Sequence, residues 1–101
     1  MRLSPVQISA IKTTASQCFG AQAAVYLFGS RTDDARRGGD IDLFVETDMR
    51  DVAAVARAEI AFLVAVKQCI GEQRIDLVVD YPTRQERPLI LTVAKNMGIR
   101  L

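Results

Sequence analysis

Two aspartates separated by one isoleucine, Asp40 and Asp42, could bring two carboxylates to one point. Successive side chains of a β-strand alternate between its faces, so residues two apart project from the same face. Two neighbouring carboxylates repel each other unless a cation lies between them. Mg²⁺ prefers oxygen ligands and commonly binds together with the phosphates of a substrate. The pair therefore favours a magnesium site, although an isolated Asp-x-Asp is more often the solvated end of a strand.

A Gly-Ser turn, Gly29 and Ser30, follows an apolar segment from Ala24 to Phe28. Glycine lets backbone amides approach a phosphate closely, and the serine hydroxyl adds a hydrogen-bond donor. By itself a Gly-Ser pair is an ordinary turn. The order of the parts is more specific: a strand, Gly-Ser, nine residues, Asp-Ile-Asp and a second strand. This order predicts a phosphate cradle that faces a metal-binding pair of carboxylates.

A third carboxylate, Asp76, lies in an alternating segment from Arg74 to Asp80. It stands between apolar neighbours, where an ionised carboxylate needs a partner. The alternative is that Asp76 is simply on the exposed side of an edge strand. Asp80 also competes for a role in a site, but its place before Tyr81 and Pro82 is more typical of a turn.

The composition bounds the class of protein. A chain of 101 residues, half of them hydrophobic, predicts a single folded domain over residues 1–101. The net charge of +1 argues against direct nucleic-acid binding. The absence of histidine excludes catalytic triads and histidine-ligated zinc. No segment is long and apolar enough to predict a membrane span, and Cys18 and Cys69 are expected to be buried and reduced, which favours the cytoplasm.

The apolar periodicity predicts an α/β fold of alternating helices and strands. Ser4 and Gln7 form a capping box for a first helix that ends at Gly20, and Gly71 ends a long helix that begins at Asp48 or Asp51. The other predicted elements are strands over 24–28, 41–46 and 74–80, a brief helix or loop over 30–37, and a helix over about 87–97.

The long helix is apolar on more than one side. Its predicted core stripe is Val52, Ala56, Leu63, Val66 and Ile70, and Ile60, Phe62 and Val64 lie beyond it. This predicts either an oligomer or a partner bound through residues 51–70, or a wide stripe facing the core of the same chain. The last helix is expected to turn Leu89, Ile90, Val93 and Met97 inward.

With the motif from Gly29 to Asp42 and the later Asp76, the chain resembles the nucleotidyltransferase superfamily, whose pattern is Gly-Ser, about ten residues, and Asp-x-Asp at the start of a strand. The short length points to the minimal nucleotidyltransferases, the MntA-like antitoxins of HEPN/MNT toxin–antitoxin pairs. The resemblance implies a nucleotidyltransferase-like fold with a small mixed sheet of three main strands flanked by helices. Many relatives carry Ala-Arg-Gly shortly after Gly-Ser-x, where this chain has Thr32, Asp33 and Asp34.

The resemblance also implies roles for the candidate residues. Asp40, Asp42 and Asp76 would bind two Mg²⁺ ions and act in catalysis, with Asp76 as general base. Gly29, Ser30, Arg31 and Arg37 would bind the nucleotide, ATP. Pairing of Arg31, Arg36 and Arg37 with Asp33 and Asp34 is an equally good account of these arginines.

The predicted function is transfer of AMP from ATP to a hydroxyl, expected to be a tyrosine, of a partner protein. The resemblance implies that this partner is a HEPN-type RNase toxin. Two alternatives remain open: a non-catalytic module of the same fold that neutralises a partner by contact, and the catalytic subunit of a two-component adenylyltransferase that modifies a small molecule.

Overall fold

A computed structural model of the chain describes residues 3–29, 41–71, 73–86 and 89–101, apart from the side chains of residues 90, 94 and 95. Within these ranges the elements are α1 (Pro5–Phe19), β1 (Ala24–Phe28), β2 (Ile41–Glu46), α2 (Val52–Ile70), β3 (Ile75–Asp80), α3 (Leu89–Met97) and β4 (Ile99–Arg100). The brief helix or loop predicted over residues 30–37 lies outside the described residues.

The strands form one mixed sheet in the order β3-β2-β1-β4. β1 pairs antiparallel with both β2 and β4, whereas β2 and β3 run parallel. The predicted α/β class and mixed sheet are therefore confirmed. The sequence did not predict β4, because a strand of two residues is too short to show alternation.

The predicted capping box begins α1. The Ser4 hydroxyl oxygen accepts the Gln7 N–H at 3.1 Å, and the Gln7 Oε1 accepts the Ser4 N–H at 2.9 Å. Both bonds satisfy amide groups that a helix leaves unpaired at its start. The helix ends at Phe19, before Gly20, and its buried residues include Ile11, Ala15 and Phe19.

The core stripe predicted for α2 is confirmed at Val66, Leu63 and Ile70, which are buried in the core or packed against it, and is wrong at Val52 and Ala56, which are exposed. The buried residues are Val55, Ala58, Phe62 and Val66. Phe62 is the largest apolar side chain of the helix and packs against Phe19, with ring centroids 5.6 Å apart. Once Phe62 faces the core, the spacing of 3.6 residues per turn turns Val52 and Ile60 outward, and their exposed fractions are 56% and 66%.

The helices α1 and α2 also carry a partly buried carboxyl group and two cysteines that differ in burial. Glu59 lies beside the buried stripe of α2, and burial raises the pKa of its carboxyl, while the charge of Arg84 lowers it. Of the two cysteines, Cys18 is half-buried but Cys69 is exposed, so the prediction that both are buried is wrong for Cys69. No helix among the described residues is long and apolar enough to cross a membrane.

The two faces of the sheet are covered unequally. α1 and α2 pack on one face, where the sheet contributes Val25, Leu27, Ile41, Leu43, Val45, Ile75 and Val79 to the core. On the other face, Phe44 and Leu91 form a smaller cluster with Tyr26, Phe28 and Val78. Among the described residues, the helix that packs on the sheet face away from α1 and α2 is α3.

The inward face predicted for α3 is wrong. Leu91 is its buried contact, whereas Leu89 and Met97 are 77% and 76% exposed. Within the described residues the helix runs over Leu89–Met97, and Leu91 in its first turn packs in the Phe44 cluster. Because one side of a helix faces the sheet, Leu89 and Met97 are left on its outer side.

A short segment after β3 is fastened back onto that strand by Arg84. The Arg84 Nη1 donates to the Val79 carbonyl at 2.8 Å, and its Nε donates to the Glu86 carbonyl at 2.7 Å. The guanidinium also lies over the Tyr81 ring, 5.9 Å from its centroid. These contacts fix the chain where it leaves the sheet.

Phe62→Ala is expected to lower the free energy of unfolding by about 3–5 kcal/mol, because it removes a fully buried ring and leaves a cavity. Ile60→Ala, on the exposed side of the same helix, is the matched control and should change it by less than ~0.5 kcal/mol. Urea denaturation of both variants measures the difference. Equal losses would contradict this assignment of the two sides of α2.

Candidate active site

The register of β2 and β3 places Asp42 directly beside Asp76. Hydrogen bonds just outside the paired residues fix this register at both ends. The Ile41 N–H donates to the Arg74 carbonyl at 2.9 Å, and the Thr47 N–H donates to the Asp80 carbonyl at 3.1 Å. Since adjacent strands lie about 4.8 Å apart, the two aspartates are neighbours across the ladder.

Both aspartates project from the sheet face opposite α1 and α2. Their sequence neighbours Ile41, Leu43 and Ile75 are buried in the main core, and side chains alternate along a strand. Asp42 is half-buried, and the Asp76 side chain keeps 46% of its surface exposed. The result is a pair of accessible carboxylates at the start of two parallel strands.

Gly29 approaches this pair of aspartates from the end of β1. It follows Phe28, the last residue of β1, which is the register partner of Asp42. Gly29 has φ +76°, in the left-handed region that disfavours L side chains. A Cβ built on Gly29 would overlap the Asp42 Oδ2 and would lie 2.9 Å from the Asp42 Cγ. The position therefore requires glycine both for its backbone and for the room it leaves to the carboxylate.

Arg74 is a charged residue of this site that the sequence analysis did not single out. Its Nε lies 3.5 Å from the Asp76 Oδ1, and its side chain is 74% exposed. The sequence signal was the spacing of two between Arg74 and Asp76, because residues two apart along a strand project to the same side. A basic residue two positions before a candidate catalytic aspartate could have been found in this way.

The other predicted site residues lie outside the described residues: Asp40, Ser30, Arg31 and Arg37. Asp40 directly precedes Ile41, the first residue of β2. The structure thus brings Gly29, Asp42 and Asp76 together, and the catalytic and nucleotide-binding roles of all these residues stay predictions.

Asp80 projects from the same face as Asp76 but at the far end of β3, where its register partner is Glu46. Asp80 lies four positions along the strand from Asp76, or roughly 13 Å away. Asp80 therefore takes no part in the pair formed by Asp42 and Asp76.

The local chemistry fits a divalent cation. Two adjacent carboxylates supply hard oxygen ligands and repel each other without a cation, and Gly29 leaves the space that Asp42 occupies. Within the described ranges no group of three metal-ligating side chains is present. The predicted third carboxylate, Asp40, belongs to the part of the chain that is not described.

The comparison with protein families agrees with this arrangement. A family model for the nucleotidyltransferase domain matches residues 8–99, and the chain belongs to this family. It is accordingly an enzyme of the class that transfers a nucleotidyl group, and members typically use a nucleoside triphosphate and a divalent metal. The predicted superfamily is confirmed. No curated protein matches the chain in sequence.

Gly29→Ala is expected to displace the Asp42 carboxylate, and it should both lower the free energy of unfolding and weaken Mn²⁺ binding in calorimetry. Gly71→Ala is the matched control, since Gly71 also has a positive φ of +94° but no atom within 4 Å of its Cβ position. It should cost roughly 1 kcal/mol of stability through backbone strain alone. Unchanged Mn²⁺ affinity in Gly29→Ala would contradict the proposed crowding of Asp42.

Proposed function

We propose that this enzyme transfers AMP from ATP to a hydroxyl group of a partner protein, with magnesium bound by Asp40, Asp42 and Asp76. The observation that carries the proposal is the register pairing of Asp42 with Asp76 on the open face of the sheet, next to Gly29. Membership of the nucleotidyltransferase domain family supports the reaction class.

The carboxylates have separate tasks in this proposal. Asp40 and Asp42 would hold the magnesium ion that accompanies the nucleotide, and Asp42 and Asp76 would hold a second ion. When bound, the ions neutralise charge that develops on the attacked α-phosphate and on the departing pyrophosphate. Gly29, Ser30, Arg31 and Arg37 bind the nucleotide phosphates.

Asp76 acts as the general base. It accepts the proton of the acceptor hydroxyl, whose oxygen forms a bond to the α-phosphorus while the bond from that phosphorus to the bridging oxygen breaks. Pyrophosphate leaves. The exposure of the Asp76 side chain, 46%, supports this role because the acceptor must approach from solvent.

The acceptor is proposed to be supplied by another protein. Exposed apolar side chains, among them Ile60, Leu89 and Met97, favour a protein partner through α2 or α3, either a second copy or another chain. The proposed acceptor is a tyrosine of a HEPN-type RNase toxin, which would make this chain a cytoplasmic antitoxin.

Asp42→Asn and Asp76→Asn should each reduce Mg²⁺-dependent transfer of label from α-labelled ATP by at least ~10²-fold. Asp80→Asn is the matched control, because it makes the same change on the same face of β3 at the other end of the strand, and it should retain activity. Label transfer that survives in Asp42→Asn would refute the proposed metal role of this residue.

Co-expression with a HEPN-type toxin should add the mass of one AMP to a toxin tyrosine, and Asp40→Asn should abolish the addition. Intact-protein mass spectrometry of the purified toxin measures it. Neutralisation without a mass change would favour the contact-only module. Transfer to an aminoglycoside-like hydroxyl but not to protein would favour the two-component small-molecule enzyme.

A further inference from the structure

We infer that Arg74 is a positioning residue whose guanidinium pairs with Asp76 in the metal-free site and competes there with the divalent cation. This inference deepens the proposed function and rests on it. Its structural basis is the 3.5 Å approach of the Arg74 Nε to the Asp76 Oδ1, together with the register pairing of Asp76 and Asp42.

The backbone of Arg74 is fixed at the entrance to the site. Its carbonyl accepts the Ile41 N–H at 2.9 Å, so Arg74 lies across from the residue that follows Asp40 and precedes Asp42. The attachment is part of the same ladder that aligns the two aspartates. Arg74 therefore stays beside the carboxylates whichever way its side chain turns.

The side chain itself can leave Asp76 at small cost. It is 74% exposed, and ion pairs between exposed groups contribute little to stability because water screens them. A cation that binds the carboxylate more strongly can therefore displace it.

When no metal is bound, the ion pair between Arg74 and Asp76 reduces the repulsion between the two aspartates. Asp42 and Asp76 are like charges on adjacent strands, and each raises the energy of the other. A guanidinium beside Asp76 relieves part of this repulsion. It also lies beside the Asp76 oxygen that a metal ion would need, so the arginine and the metal compete for the same atom.

Calorimetric titration of the nucleotide-free chain with Mn²⁺ tests the competition. Arg74→Gln should bind Mn²⁺ about two- to fivefold more tightly than the wild type, the range expected for loss of an exposed ion pair. Arg74→Lys keeps the charge and should restore the wild-type affinity. Arg57→Gln removes the same charge from α2, on the other side of the sheet, and should leave the affinity unchanged.

The outcomes separate the two proposals. A wild-type chain that binds no Mn²⁺ would contradict the proposed function. Mn²⁺ binding that is unchanged or weaker in Arg74→Gln would overturn the role of Arg74 alone. An equal gain in Arg57→Gln would also overturn it, since the effect would then come from net charge rather than from contact with Asp76.

Discussion

The parallel ladder between β2 and β3 holds the carboxylates of Asp42 and Asp76 side by side despite their mutual repulsion. Hydrogen bonds at both ends of the ladder fix the register, and the apolar residues Leu43 and Leu77 make any other register costly. A shift of one residue would turn Asp42 into the core, because side chains alternate with a period of two. Hydrophobic burial on one face thus determines where the charges of the opposite face lie.

The packing of the helices leaves the sheet face that carries Asp42 and Asp76 available for a charged site. α1 and α2 cover one face of the sheet and form the main hydrophobic core with it. The face that carries Asp42 can therefore hold charged residues. The Tyr26–Phe44 pair, with ring centroids 5.7 Å apart, gives α3 a small apolar base on this face without covering the aspartates. A domain of this size can then expose a charged site and still fold.

The sequence predicted β1, β2 and the bounds of α1 and α2, because alternation, capping residues and terminal glycines are local signals. It also indicated that Asp42 and Asp76 share a face, since that follows from spacing within each strand. It predicted only part of the buried side of α2 and did not predict that of α3. That choice depends on contacts such as Phe62 with Phe19 and Leu91 with Phe44, between residues far apart in the chain. The ion pair of Arg74 depends on side-chain geometry that no periodicity records.

The bond from Arg84 to the Val79 carbonyl has a consequence for assembly. β3 is the outer strand on the Asp76 side among the described strands, and Arg74 and Asp80 use their carbonyls toward β2, so the Val79 carbonyl points away from β2. The outer edge of a sheet is in general a template on which a foreign strand can add. Because the guanidinium takes this acceptor at 2.8 Å, the edge is partly blocked against such growth. A strand that added there would first have to displace Arg84 from the Val79 carbonyl, so β3 is a poorer template for growth of the sheet than a bare edge strand.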